Sequence, residues 1–178
     1  MASRRGVTWI LTASVLVSLT AAAHVFQDAA SAGALAPASA EVETFVREAL
    51  ADRLVAGDIP DIHLLRRADA KRFHVRAELP GSRIRITSRA LPSTPGTELA
   101  LVTLADAQEA ATRTGQPFRF VVVDHVNIAG TQASLWLGVG LVVPPGFVKM
   151  CCCERQAEFE RREGRWLFER WGKGGRCY

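Results

Sequence analysis

The sequence FRFVVVDHVNIAGTQASLWLGVGLVV, residues 118–143, decides the fold. Residues 118–126 are almost continuously apolar, with the β-branched and aromatic side chains that are typical of a strand. Ala129-Gly130 marks a turn, and in residues 131–143 every second side chain from Ala133 onwards is apolar. This alternation predicts a strand with one face in the core, so the stretch predicts a long antiparallel hairpin.

Two further strands follow this hairpin. One covers about residues 147–161 and the other covers residues 165–171, and Glu163-Gly164 between them signals a tight turn. If the turn has two loop residues, Phe159 lies opposite Phe168, which is a sensible core pair. The C-terminal part of the chain therefore predicts a four-strand meander.

The upstream part of the chain predicts two helices and three short strands. The first helix starts near Glu41, carries one apolar stripe and ends at Gly57. The second opens at Thr103, whose hydroxyl forms a capping box with Asp106, and it ends at Gly115. The short strands are predicted at residues 62–65, 73–79 and 84–87.

These elements predict an α+β fold, in which an N-terminal helix and a second helix pack on a curved antiparallel sheet that ends in the four-strand meander. The order of the elements resembles the cystatin-like and NTF2-like cone, in which a curved meander wraps a helix and encloses a pocket. Because this resemblance is one of element order, it implies a fold and not an activity.

The first 23 residues have the three parts of a secretory signal. Arg4-Arg5 gives a positive start, residues 7–19 are uncharged and mainly apolar, and Ala21-Ala22-Ala23 gives a small-residue cleavage site. Cleavage after the last of these alanines is the first choice, and Ala30-Ser31-Ala32 is a second candidate site. Either predicts a periplasmic or secreted protein. The uncharged stretch 7–26 is also about as long as a membrane span requires, so the alternative is an uncleaved anchor with the domain outside the cytosol.

The chain divides into three predicted segments. Residues 1–23 are the signal peptide, residues 24–40 are a flexible linker of small residues, and residues 41–178 are a single α+β domain. Such a domain is large enough to form a core without a metal or cofactor, and no cofactor is predicted. The net charge of +4 falls to +2 without the signal, which does not favour nucleic acid as a partner.

All four cysteines lie in the last 28 residues, at Cys151, Cys152, Cys153 and Cys177. Outside the cytosol a disulfide is the default interpretation of such a group. If the register of the terminal hairpin continues without a shift, Cys177 lies on the face shared by Cys152. We therefore predict a Cys152–Cys177 disulfide, with Cys151 as the alternative partner if a bulge or a three-residue loop shifts the register.

Cys151 and Cys153 then remain as thiols, and they define an alternative function. They form a C-x-C pair that is a candidate for thiol-redox chemistry or for binding a soft metal. The run lacks the paired C-x2-C spacing of zinc sites and the C-x-x-C motif of thiol catalysts. No metal site is therefore predicted.

The candidate ligand pocket lies on the outer face of the strand 131–143, which carries Trp136, Gly138 and Gly140. Glycines inside a strand commonly mark a bend or the close approach of another group. This face is the part of the chain where the sequence indicates space for a ligand.

The sequence contains no recognised catalytic motif such as G-x-S-x-G, a P-loop or H-E-x-x-H. Asp124, His125 and His63 are the polar candidates if the protein is a small pocketed hydrolase or isomerase. Asp124 and His125 are adjacent in a predicted strand, so they point to opposite faces and form no dyad.

The leading hypothesis is an exported, non-catalytic binding or structural domain that is stabilised by a C-terminal disulfide. Its partner is an unknown small ligand or protein, and a membrane is a partner only if the N-terminal segment stays uncleaved.

Overall fold

The computed structural model describes residues 34–66, 72–146 and 153–177, and the predicted signal peptide 1–23 lies outside these ranges. The helices of the described residues are α1 (Ala40–Ala56), α2 (His63–Arg66) and α3 (Leu104–Thr114). The strands are β1 (Ala36–Pro37), β2 (Arg72–Arg76), β3 (Glu78–Leu79), β4 (Ile84–Arg85), β5 (Glu98–Val102), β6 (Phe118–Ala129), β7 (Gln132–Val142), β8 (Cys153–Arg162) and β9 (Arg165–Cys177). The predicted α+β class is confirmed.

Both long helices begin and end at capping residues. The Ser39 hydroxyl accepts a hydrogen bond from the Val42 N–H at 3.2 Å, and Gly57 ends α1 with a φ of 69°. Thr103 and Asp106 form a reciprocal capping box at the start of α3. The two predicted helices are thus confirmed, because their signals act within a single turn.

The main sheet has six strands in the order β5-β2-β6-β7-β8-β9. Strands β6 to β9 pair consecutively and antiparallel, which confirms the four-strand meander. The expectation of a wholly antiparallel sheet is wrong, because β2 pairs in parallel with both β5 and β6. The chain leaves β5, crosses through α3 and enters β6 in the same direction, and such a crossover produces parallel strands.

A second, small sheet has the order β1-β4-β3. Its first strand lies inside the segment predicted as a linker and pairs in parallel with β4, with Ala36 opposite Ile84. Backbone hydrogen bonds from Ala36 to Arg83 and from Ala38 to Arg85 hold this segment beside the domain.

The predicted strand at residues 62–65 is wrong, since the helical turn α2 occupies this position. Ile59, Ile62 and Leu65 are all buried, and their spacing of three residues matches a helical turn rather than a strand. Strand β5 was not expected from the sequence; its apolar residues before the buried Val102 are only partly buried.

Helices cover the two faces of the main sheet unequally. The larger core lies between α1 and one face, and includes Phe45, Leu50, Leu137 and Phe159. The smaller core lies under α3 on the other face, where Ala107 and Ala111 are fully buried and Phe120, Val122 and Val142 keep 3%, 5% and 8% of their surface exposed. Since α3 covers only the end of this second face, its remainder is open for a site.

The terminal hairpin turns where predicted. Glu163 and Gly164 both have positive φ angles, as a two-residue turn between antiparallel strands requires, and Phe159 lies opposite Phe168. Two irregularities then follow, one between Glu158 and Phe159 and one between Arg155 and Ala157. Together they insert three extra residues on the β9 side of the ladder.

These insertions correct the predicted disulfide. The bridge joins Cys153 to Cys177, which lie directly opposite each other with their Cα atoms 4.2 Å apart. The predicted Cys152–Cys177 pair assumed an unshifted ladder, and three inserted residues move the partner of Cys177 from position 150 to position 153. The alternative partner Cys151, like Cys152, lies outside the described residues.

The same bridge bears on the thiol hypothesis and on location. Cys153 is oxidised, so it is not available as a thiol beside Cys151. A disulfide is typical of proteins outside the reducing cytosol. None of the helices in the described ranges is long and apolar enough to cross a membrane.

Candidate ligand-binding cleft

A cleft of about 340 Å³ lies on the second face of the main sheet, next to the start of α3. Phe120, Val122 and Gly140 line its apolar part, and the turn Pro80–Ser82 and Leu104 border it. Its ionisable lining residues are Arg76, Asp124, His125, Glu154 and Arg176. An apolar surface with a few convergent polar groups is the usual composition of a small-molecule site.

The three predicted pocket residues have different places around this cleft. Gly140 lines it, and a side chain there would start only 2.5 Å from the Phe120 ring. A Cβ at Gly138 would lie 2.3 Å from the Cys153 carbonyl oxygen, so this glycine permits the close approach of β8. The Trp136 ring lies beside the cleft, packed edge-on against the His125 ring.

A bulge in β6 brings Asp124 and His125 to the same cleft, which corrects the prediction that they point to opposite faces. The ladder to β7 shifts between Asp124 and Asn127, and His125 has a φ of 47°. This left-handed conformation interrupts the alternation of a regular strand. The polar pair Asp124-His125 in an otherwise apolar run is the sequence signal that marks the irregularity.

The turn Pro80–Ser82 provides hydrogen-bonding partners for the bulge. Asp124 Oδ1 accepts hydrogen bonds from the backbone N–H groups of Gly81 and His125, both at 2.8 Å. The Ser82 hydroxyl accepts a third from the Val126 N–H at 2.7 Å. Two of these donors, the N–H groups of His125 and Val126, lie in the bulge and have left the β6–β7 ladder, so the hydrogen bonds stabilise the conformation of His125.

Arg176 lies at the centre of the polar wall. Its Nε and Nη2 atoms donate to Glu154 Oε2 at 2.9 and 2.7 Å, and its Nη1 atom lies 3.1 Å from His125 Nε2. The guanidinium carbon is 4.8 Å from the centroid of the Trp136 ring. Asp124 Oδ2 is 3.8 Å from Nη2, so one arginine contacts four neighbouring side chains.

The disulfide lies immediately beside this wall. Cys153 and Cys177 precede and follow Glu154 and Arg176, respectively, and the two pairs are adjacent rungs of the β8–β9 ladder. The bridge therefore fixes the register that places Arg176 opposite Glu154. Asp61 adds a further contact, since its carboxylate accepts a hydrogen bond from the Cys153 N–H at 3.0 Å.

Arg76 differs from Arg176 because its donors are largely unused. The side chain is 19% exposed, and its buried Nε atom has no hydrogen-bond partner. The nearest carboxylate oxygen is Glu78 Oε2, which lies 3.7 Å from Nε. The sequence does not mark Arg76, Glu154 and Arg176 as site residues, because charged residues on a strand usually indicate a solvated face.

The other candidate histidines lie away from this cleft. His63 is exposed at the start of α2. His74 packs on the Phe118 ring, with centroids 4.9 Å apart, in a smaller cleft of about 200 Å³. Burial lowers the pKa of His74 below its usual 6.5 and nearby Arg72 lowers it further, whereas Glu98 opposes the shift.

No cluster of three or more His, Cys, Asp or Glu side chains within the described ranges is arranged to hold a metal ion. The chain matches no protein-family model, no curated protein and no solved structure. The resemblance to the cystatin-like and NTF2-like cone by element order is therefore not confirmed.

Proposed function

We propose that this protein is an exported, disulfide-stabilised domain that binds a small ligand in the cleft of the second sheet face. The observation that carries the proposal is the composition of the cleft, an apolar floor at Phe120, Val122 and Gly140 beside convergent charged side chains. The polar wall is held by hydrogen bonds and lies next to the disulfide. A wall fixed in this way is preorganised for binding.

Export is the second part of the proposal. The disulfide supports a location in the periplasm or outside the cell, and it accords with the predicted signal peptide 1–23. The alternative is a membrane anchor at residues 7–26 that holds the same domain outside the cytosol. Intact mass of the protein recovered from an export-competent host distinguishes the two. A chain starting at His24 is expected, and a reduced full-length chain in the cytosol would contradict export.

Binding is favoured over catalysis by the way in which the polar groups are used. Asp124 accepts two backbone N–H groups through one oxygen, and Glu154 is engaged by Arg176. Of the carboxylates in the described residues, none is hydrogen-bonded to the His125 ring, so no acid orients this imidazole as a general base would require.

A pocketed hydrolase or isomerase is the second candidate, and one observation favours it. The β6 bulge places an acid and an imidazole, Asp124 and His125, in one cleft. Hydrolysis of p-nitrophenyl acetate and p-nitrophenyl phosphate tests this candidate. Activity that His125→Ala abolishes, and that the exposed control His63→Ala retains, would replace binding with catalysis as the function.

The binding function is tested by screening small fragments with the purified oxidised protein. The library contains carboxylates, amines and neutral alcohols with aliphatic or aromatic bodies, and binding is mapped by amide NMR shifts. We expect the shifts to concentrate at Phe120, Val122 and Gly140, while amides around the smaller cleft at His74 remain unchanged. If no class of fragment perturbs the floor at millimolar concentration, the cleft is not a ligand site.

A further inference from the structure

We propose that the ligand of this cleft is a small amphipathic monoanion, a carboxylate whose head group is bound by Arg76 and whose apolar body lies on Phe120 and Val122. This inference rests on the proposed binding function and specifies the chemical class of its ligand.

The unused donors of Arg76 are the first observation. Arg76 lines the cleft, its side chain is about four-fifths buried, and it donates no hydrogen bond to any residue that the structure describes. An arginine has five N–H donors in a fixed planar arrangement. A buried charged donor without an acceptor is costly, and a carboxylate can satisfy two donors at once through parallel hydrogen bonds.

Glu78 forms an ion pair with Arg76 but accepts no hydrogen bond from it, because this carboxylate is shared with other groups. Its Oε2 atom accepts a hydrogen bond from the Leu104 N–H at the start of α3, at 3.1 Å. Its Oε1 atom lies 3.8 Å from Arg85 Nη2. One carboxylate is thus shared by two arginines and a helix terminus, and its distance of 3.7 Å from Arg76 Nε exceeds a hydrogen bond.

Arg176, the other arginine of the cleft, is already committed to the protein. Two of its nitrogens bind Glu154, a third contacts His125, and its guanidinium stacks over Trp136. These contacts make it part of the wall. The head group of an anionic ligand is therefore directed to Arg76.

The remaining charges restrict the ligand to a single negative charge. Asp124 and Glu154 also line the cleft, and both would repel a dianion such as phosphate. The apolar floor disfavours a small hydrated anion such as acetate, which has no apolar body to cover the exposed edges of Phe120 and Val122. An apolar body attached to one carboxylate matches both features, and the volume of about 340 Å³ suits a ligand of this size.

The test is an NMR titration of the oxidised protein with octanoate, octylamine, octanol and inorganic phosphate. We expect octanoate to bind most tightly and to shift both the Arg76 Nε–Hε resonance and the amides of Phe120 and Val122. Arg76→Gln should weaken octanoate binding at least about tenfold, which is the effect of one lost charge-assisted interaction. Arg76→Lys keeps the charge but not the planar guanidinium, so its affinity for octanoate should lie between those of the wild type and Arg76→Gln.

Arg85→Gln is the matched control. It removes a cation from the same carboxylate, Glu78, but Arg85 does not line the cleft, so octanoate affinity should change less than twofold. Amide spectra verify that each variant is folded. If Arg76→Gln does not fold, the octanoate affinity of Arg76→Lys is compared with that of the wild type instead.

The outcomes separate this inference from the proposed function. Two results would overturn the inference that the ligand is a carboxylate while leaving a ligand-binding cleft. One is that octanol or octylamine binds in the cleft as tightly as octanoate, and the other is that Arg76→Gln still binds octanoate with the affinity of the wild type. Tighter binding of phosphate overturns it in favour of an inorganic anion. If none of the four probes shifts the cleft, both the inference and the binding function fail.

Discussion

His125 is the residue whose backbone conformation determines the chemistry of the cleft. In a regular strand its side chain and that of Asp124 would lie on opposite faces of the sheet. A φ of 47° at His125 and the adjacent bulge bring both to the cleft. The cost of this conformation in a non-glycine residue is offset by hydrogen bonds from Gly81, His125 and Val126 to nearby side chains.

Gly81→Ala is expected to displace the His125 ring without unfolding the protein. The new Cβ would lie 2.5 Å from two ring atoms, and the ring is exposed and able to rotate away. We expect the contact between His125 Nε2 and Arg176 to be lost, with a change in unfolding free energy below about 1 kcal/mol. Imidazole NMR shifts and chemical denaturation measure the two effects.

Ser88→Ala is the control for that substitution, since it places the same side chain in the other short turn, Ser88–Ala90, away from the cleft. It should leave the imidazole shifts of His125 unchanged. An unaltered His125–Arg176 contact in Gly81→Ala would contradict the packing described above.

His74 is expected to make the protein less stable as the pH falls. Burial lowers its pKa in the folded state, so the unfolded chain binds the proton first as the pH decreases through 6.5. The free energy of unfolding should therefore be highest above this pH and decrease below it. Denaturation curves between about pH 5 and pH 8 measure the slope.

His74→Gln removes the titrating group while keeping a polar side chain beside Phe118. The free energy of unfolding of the wild type, relative to that of the variant, should decrease as the pH falls. A difference that is independent of pH, or that changes in the opposite direction, would show that the folded state does not disfavour the charged imidazole.

At the scale of elements, the β8–β9 hairpin shows how inserted residues reorganise a strand. The insertion between Phe168 and Arg170 places Trp171 on the same side of the sheet as Trp166, and both pack against the larger core. Helix α1 contacts this edge strand directly, since Glu48 accepts a hydrogen bond from the Trp166 N–H at 2.7 Å. The Arg53 guanidinium lies 3.6 Å from the centroid of the Phe168 ring. The edge is therefore partly covered by the protein itself.

Cys177→Ser should lower the free energy of unfolding by about 3 kcal/mol, because it opens a loop closed by residues 24 positions apart. It should also broaden the NMR signals of Glu154 and Arg176, whose register the bridge holds. Cys152→Ser is the matched control, and it should leave both stability and the crosslink unchanged.

Tryptic mapping of a Cys151→Ser/Cys152→Ser double variant provides a direct check of the pairing, because all three neighbouring cysteines lie in one tryptic peptide between Lys149 and Arg155. The peptide that contains Cys153 should remain linked to the peptide that contains Cys177. If Cys152→Ser instead releases the C-terminal peptide and destabilises the protein as much as Cys177→Ser, the disulfide joins Cys152 to Cys177, as the unshifted register predicted.

At the scale of the whole molecule, the cleft results from unequal coverage of one sheet. The 17-residue helix α1 packs its apolar stripe across the first face, and α3, with 11 residues, reaches only the end of the second. The uncovered part of the second face carries Gly140, Glu154 and Arg176 beside the small apolar floor at Phe120 and Val122, rather than a continuous apolar surface. Such a surface is stable in water and leaves room for a ligand.

Elements with local causes could be predicted from the order of the residues alone. The capping box at Thr103, the end of α1 at Gly57 and the turn at Glu163-Gly164 each depend on groups within a few residues of each other. The alternation in β7 likewise follows from one strand having one buried face. These signals were sufficient to predict the α+β class and the meander.

Only the tertiary structure decided the strand directions, the disulfide partner and the cleft. The parallel pairing of β2 depends on segments far apart in sequence, and the partner of Cys177 depends on insertions that add up along the β9 ladder. Asp124, Glu154 and Arg176 meet because a bulge in one strand and a shifted register in another bring distant positions together. The physical reason is that a bulge is stabilised by the backbone and side chains that pack against it, which the pattern of a single strand does not contain.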